Sequence, residues 1–256
     1  MSEPGSLLRS LSGQARPRNF HSHVIHALGS GVIAGQFPQG STLPGDAELC
    51  DQFDVSRTVL REAIKTLEAK GLLESRPKVG TKVTRKNHWN LFDPQVLAWY
   101  LDASPDREFL KSLHDVRMAL EPLTAAQAAS FRSGDQLRLM HYWLRQMELS
   151  QAEPLNFCLA DFELHLIIAD ASRNPFLRAA YGMVELSHAF AYLHIVANDR
   201  QDALAPFLDP HRMLVTQIER GDPQGATSAM QAVILLDQIT ALNQIDHQSH
   251  PMRSEA

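Results

Sequence analysis

Apolar residues along the first third of the chain recur in short helical bursts separated by polar turns. Val24, Ile25, Leu28, Val32 and Ile33 predict a helix over 21–33, which Gly35, Pro38 and Gly40 bring to a stop. A short helix opens at Asp46, whose carboxylate suits free backbone N–H groups, and runs through Leu49 and Phe53. Ser56 is a capping residue for the next helix, which carries Val59, Leu60, Ile64 and Leu67 and closes at Gly71. Only Asp54-Val55-Ser56 separates the two, the spacing of a helix-turn-helix. Leu72–Ser75 and Thr81–Thr84 then read as short strands around Arg76-Pro77-Lys78-Val79-Gly80, predicting a two-stranded wing.

Beyond Lys86 the period becomes helical almost to the end, with no β-like alternation. Helices are predicted at about 94–102, 106–131, 135–150, 153–171, 175–197, 207–220 and 223–243, with Pro105, Gly134, Pro154, Pro175, Pro206 and Gly221-Asp222-Pro223 as punctuation. The fold class is therefore mainly α: a winged helix-turn-helix followed by an all-α bundle. The organisation expected is a flexible N-terminal arm over 1–18, a DNA-binding module over 19–86, a linker with a linker helix over 87–105, the bundle over 106–243 and a flexible tail over 244–256.

Composition narrows the function. The whole chain carries a net charge of −5, but residues 1–86 sum to +4 and residues 87–256 to −9. A basic module that meets a polyanion is joined to an acidic module with another task. Two cysteines, Cys50 and Cys158, are too few for a disulfide framework and fit a reducing compartment. There is no apolar run long enough for a membrane helix and no signal-peptide pattern in the first residues, so a soluble, cytoplasmic protein with no membrane partner is expected.

Two stretches carry a family resemblance. Gly35-x4-Gly40-x2-Leu43-Pro44-x3-Glu48-Leu49, followed by Val55-Ser56-Arg57-x2-Leu60-Arg61-Glu62-Ala63-x3-Leu67-x3-Gly71-Leu72-Leu73, resembles the winged helix-turn-helix of GntR-superfamily transcription regulators. In the bundle, Val116-Arg117-x3-Glu121-Pro122-Leu123, Asp161-x3-His165, Ser172-x-Asn174-Pro175 and His211-x8-Arg220-Gly221-Asp222 resemble the FCD effector domain of the FadR-like branch. The linker from Asn87 to Trp99 looks most like that of sugar-acid regulators within that branch.

In such a module the second helix of the motif enters the major groove. Arg57 and Arg61 are four apart and share one helix side, and the arginine fork can pair with guanine O6 and N7 or with a phosphate. Ser56 and Thr58 are placed to donate to phosphates at the helix N-terminus, where backbone N–H groups favour anions. Lys65 and Lys70 are assigned to the phosphate field, and Lys78, Arg76 and Gly80 to wing contacts. Pro77 and Val79 occupy a tip that is small and glycine-rich in many relatives, and Ala47 stands where some relatives have a basic residue.

The bundle's candidate residues are polar ones on apolar helices. Asp161 and His165 share a helix face, His211 opens a later helix, and Arg117 lies on the long first helix of the bundle. Carboxylate and imidazoles suit one divalent transition metal such as zinc, with Arg117 pairing an anionic effector. The resemblance implies the same set, plus a third histidine from the last helix, where this chain has Val233. Two readings follow: a metal held by Asp161, His165 and His211 and completed by effector, or, as preferred, direct binding of a sugar acid by Arg117, Asp161, His165, Asn174 and His211. His188 and His194 are read as core or surface residues, although either could substitute as a ligand. Trp89 and Trp99 are expected to fix the linker against the bundle, and Pro122 to bend its first helix.

A metal-dependent enzyme acting on a small hydroxy acid is the alternative, but no P-loop, nucleophile elbow, HExxH or CxxC is present. The expectation is a non-enzymatic homodimer that binds double-stranded operator DNA at an inverted repeat, one module per half-site. It would repress a sugar-acid (galactonate- or gluconate-like) catabolic operon until a small carboxylate effector releases it.

Overall fold

The structure, a computed structural model, describes residues 6–11, 20–103, 106–197 and 201–249. It contains twelve α-helices and one two-stranded antiparallel sheet among the described residues. These group into two compact units, one formed within 13–105 and the other from 1–12 together with 106–256.

In the first unit, α2 (Phe20–Ile33), α3 (Asp46–Phe53) and α4 (Arg57–Ala69) enclose a core of Val24, Leu28, Leu49, Leu60, Ala63 and Leu67. Ser56 accepts from the Val59 N–H and so caps α4 as expected. Strands β1 (Leu73–Arg76) and β2 (Gly80–Val83) pair in register from Leu73 with Val83 to Arg76 with Gly80. Thr42 adds an isolated bridge to Lys82, which ties the wing to the segment before α3. Gly71, with φ of +79°, has no alternative, since a Cβ there would lie 2.0 Å from the His88 carbonyl oxygen.

The linker helix α5 (Pro94–Asp102) is capped by Asp93 and packs on α2. Trp99 is the reason: its ring fills the space over Gly29, where any Cβ would come within 2.4 Å, and its Nε1–H donates to His26 Nδ1 at 3.2 Å. Trp89 donates to Thr84 Oγ1 at 3.0 Å. The two tryptophans therefore anchor this segment within the first unit, where the sequence suggested attachment to the bundle.

The second unit is the bundle. Its helices are α6 (Arg107–Phe131), α7 (Gly134–Leu149), α8 (Pro154–Ala171), α9 (Pro175–Ala179), α10 (Tyr181–Ala197), α11 (Leu208–Arg220) and α12 (Pro223–Ser249). α8 is apolar on nearly every side and packs against α6, α7 and α10, while α12 lies along α6 and α11. α6 continues through Pro122. The single helix expected over 175–197 is two, because Asn174 caps α9 and α10 restarts at Tyr181. α12 runs to Ser249, past the expected end at 243; the remainder of the expected tail, 250–256, lies outside the described residues.

Residues expected to be a flexible arm include α1 (Ser6–Arg9), which packs on α8 and α10 of the bundle. Leu7 and Leu8 are buried, the Leu7 N–H donates to Glu185 Oε1 at 2.6 Å, and Arg9 pairs with Glu163 at 3.2 Å. Two adjacent leucines gain enough from burial to order a short segment that helical propensity alone could not. The rest of that expected arm, 1–5 and 12–18, lies outside the described residues.

Candidate functional site

Four polar side chains meet inside the bundle. Asp161 and His165 project from α8, His188 from α10 and His211 from α11, all buried. His211 Nε2 lies 3.0 Å from Asp161 Oδ1, His188 Nε2 3.2 Å from Oδ2, and His165 Nε2 3.4 Å from Oδ1. None of the three Nε2 atoms, nor Asp161 Oδ1, makes a hydrogen bond. Four inward-facing polar atoms without partners are costly in a protein interior, which marks the cluster as built for something else.

The other ring nitrogen of each histidine explains the orientation. His188 Nδ1 meets the Val184 carbonyl at 2.8 Å and His211 Nδ1 meets the Phe207 carbonyl at 2.6 Å, each one turn back on the chain. A carbonyl only accepts, so each Nδ1 carries the proton and donates it, leaving Nε2 bare in the neutral ring. His165 Nδ1 donates to the Glu121 carboxylate in the same way. Glu121 Oε1 in turn accepts from Arg117 Nε at 2.6 Å. Arg117 Nη1 donates to Ser187 Oγ and to Asp237 Oδ2, both at 2.9 Å, which leaves its buried Nη2 as the guanidinium group without a partner.

Electrostatics follow from this packing. Burial pushes the Asp161 carboxyl up, but His211 and His188 outweigh it and hold the group well below the usual carboxylate range. Burial likewise disfavours charge on His211, yet Asp161 raises it to about 9, and His188 is raised for the same reason. Glu121, despite complete burial, is lowered to about 2 by Arg117 and His165.

The donor set fits a divalent transition metal. Ligand atoms about 2.0–2.1 Å from a tetrahedral ion stand about 3.3 Å apart, and the Nε2-to-carboxylate spacings here are 3.0–3.4 Å. Asp161, His165 and His188 each offer an atom within 4.8 Å of the others, and His211 reaches the same carboxylate. The third imidazole of the cluster is His188, a possible substitute ligand in the sequence, while Val233, at the place of the third histidine that the resemblance implies, is buried on α12. A sequence signal existed: Glu185, Ser187 and His188 are consecutive or near-consecutive polar residues in a largely apolar helix.

Asn174 has another duty. Its Oδ1 accepts from the Phe176 and Leu177 N–H groups and caps α9.

In the first unit Arg57, Thr58, Arg61 and Lys65 are exposed along α4, as is its N-cap Ser56. Arg61 Nε is 3.7 Å from Asp46, and Lys65 Nζ is 2.9 Å from Glu62; both are open, solvated pairs that a phosphate can displace. Lys70 is different, because its ammonium sits half-buried against Asp93 at 2.7 Å and serves the α5 cap in place of the phosphate field. At the wing, the Val79 N–H closes a turn on the Arg76 carbonyl, with Pro77 and Lys78 at its corners. Lys78 is exposed with φ of +65°, a left-handed position that favours glycine, and Gly80 follows at +99°.

Residues 20–83 match the family model of bacterial regulatory proteins, gntR family, and residues 112–235 match that of the FCD domain. The chain belongs to the gntR family of bacterial regulatory proteins, with an FCD domain. It is 28% identical over 86% of its length to the uncharacterized HTH-type transcriptional regulator YieP of Escherichia coli, covering 94% of that protein. It is 29% identical over 84% of its length to the galactonate operon transcriptional repressor of the same organism, again covering 94%. A solved Listeria monocytogenes structure described as Lar, which controls expression of the agr system, shares the fold with a TM-score of 0.61 at 17% identity, over 90% of this chain and 99% of that one. The gntR family consists of DNA-binding transcription regulators, so residues 20–83 form a DNA-binding domain and the cluster lies in the FCD domain of a regulator, not of an enzyme.

Proposed function

We propose that this gntR-family regulator represses a sugar-acid catabolic operon and releases its operator when a small carboxylate binds the bundle cluster. The observation that carries the reading is the convergence of three imidazole Nε2 atoms on Asp161, none of them in a hydrogen bond, with Arg117 Nη2 also buried and unpartnered. Asp161, His165, His188 and His211 would hold a divalent transition metal such as zinc, which supplies a Lewis-acidic centre for an anionic oxygen. The metal reading replaces direct effector binding as the preferred one, because direct hydrogen bonding gives no reason for four unsatisfied atoms to face one another. Arg117 keeps its expected role only through Nη2, since its other donors are engaged.

The relatives support the substrate class: one is named for the galactonate operon and another, 27% identical, for the uxu operon of Escherichia coli. On the DNA side Ser56, Arg57, Thr58, Arg61, Lys65, Lys78 and Gly80 contact an inverted repeat, with a homodimer presenting one wing and one α4 per half-site. No helix among the described residues is long and apolar enough to cross a membrane, in keeping with a cytoplasmic site of action. An inducer must bind the DNA-incompetent arrangement better than the competent one, because a ligand shifts an equilibrium only by its differential affinity.

The test is a titration of the operator complex with a panel of aldonic and uronic acids, with and without a chelator. Release by one class of acid, abolished by chelation and restored by zinc, is the expected result. Release by none, or turnover of any acid, would overturn the reading.

A further inference from the structure

One buried carboxylate touches the cluster without belonging to it. Glu121 is wholly inaccessible on α6, and its two oxygens are divided between His165 Nδ1 on one side and Arg117 Nε, at 2.6 Å, on the other. Arg117 is itself fixed by Ser187 of α10 and Asp237 of α12. The four histidine and carboxylate groups of the cluster are therefore not all supported alike. His188 and His211 are oriented by carbonyls of their own helices, which come with helix geometry, whereas His165 depends on a side chain from another helix.

We infer that Glu121 is the positioning residue of the metal site: it fixes His165 with Nε2 bare, and Arg117 fixes Glu121 in turn, so that metal affinity depends on two residues that do not touch the ion. This rests on the metal reading above. The chemistry is specific to a carboxylate. A glutamine at 121 can accept from His165 only by turning its amide N–H group toward Arg117 Nε, donor against donor, or satisfy Arg117 and set that group against the His165 Nδ1–H. Either choice loosens the ring or inverts its tautomer, and neither changes the four groups that would hold the ion. Carboxylates that accept from the distal nitrogen of a metal-binding histidine also strengthen the ring as a donor, and their loss costs roughly 10–100-fold in metal affinity.

The experiment measures zinc affinity of the full chain, stripped of metal, by competition with a chromophoric chelator. Glu121→Gln is expected to bind roughly 10–100-fold more weakly than wild type, while Asp237→Ala, which removes an Arg117 contact, stays within about threefold. Nitrogen-15 spectra of the metal-free chain supply a second readout: His165 should carry its proton on Nδ1 in the wild type and lose that state in Glu121→Gln, with His188 and His211 unchanged. Equal zinc affinity in wild type and Glu121→Gln, or a wild-type His165 protonated on Nε2 alone, overturns the inference. A wild-type chain that binds no zinc but shows the Nδ1 proton would instead sink the metal reading and leave Glu121 as the residue that orients His165. If Glu121→Gln does not fold, the wild-type spectrum still decides.

Discussion

His211 Nε2 lies 3.0 Å from Asp161 Oδ1, joining α11 to α8 through a contact that is close but makes no hydrogen bond. Together with His165 and His188 it produces a four-donor cluster that a metal ion would complete. Zinc at about one hundred times its dissociation constant should stabilise the chain by about 2.7 kcal/mol. For a protein of this size that raises the melting temperature by about 5–10 °C. Calorimetric scans with zinc and with chelator check this, and His188→Ala should abolish the difference as completely as His211→Ala.

The same pair sets a pH dependence in the metal-free protein. His211 is raised from 6.5 to about 9 by Asp161, against the effect of burial. Its ion pair therefore contributes fully below about pH 6.5 and is lost as pH rises through about 9. Asp161 is lowered, so its share is present above its unfolded value near 3.8 and is lost only at strongly acidic pH. Denaturant unfolding in chelator should show stability falling between pH 6.5 and 9.5. Zinc, which takes the place of the His211 proton, should reverse that trend, since its binding strengthens as pH rises.

On the DNA side, Arg57→Ala and Arg61→Ala should each weaken specific operator binding by about 1–3 kcal/mol if they pair with bases. Lys65→Ala should act on all sequences alike and reduce the salt dependence by about 0.9 in log–log slope. Lys70→Ala should leave that slope unchanged and lower stability instead, by about 1–3 kcal/mol, because Asp93 loses its partner. Fluorescence anisotropy across a salt series, paired with thermal melts, separates these outcomes.

Lys78 occupies a left-handed corner of the wing turn at φ of +65°. Replacement by glycine should relieve about 1 kcal/mol of backbone strain while removing the DNA contact proposed for this side chain. A variant that is more stable yet binds DNA more weakly is the expected result. Unchanged affinity in a salt titration would remove Lys78 from the DNA interface.

The N-terminal segment offers a stability test. Leu8 is fully buried where α1 packs on α8 and α10, so Leu8→Ala should cost about 2 kcal/mol or more in denaturant unfolding.

The winged module was legible because its signals are local. Ser56 caps α4, Gly71 adopts the positive φ that its position requires, and Asp93 with Pro94 opens α5 at the expected residue. In the bundle, Asp161 and His165 were visible as a helical pair. His188 stood out as a polar residue in a largely apolar helix, but nothing local sets it apart from a histidine packed in the core, because the approach of α10 to Asp161 of α8 is a tertiary contact. The docking of Trp99 on Gly29 and of Leu8 on the bundle depends on tertiary contacts between distant segments, which periodicity does not encode. The duty of Asn174 as a cap was within reach, since Asn-Pro before an apolar run is a helix start.

Asp161 stands at the centre of the account, because all three imidazoles face it. The most direct measurement compares wild type with Asp161→Asn in operator release by the acid that induces the wild type. Equal operator affinity in the absence of acid, with release lost in the variant, is the predicted result. Release of Asp161→Asn at the wild-type acid concentration would contradict the claim that the bundle cluster controls the DNA-binding unit.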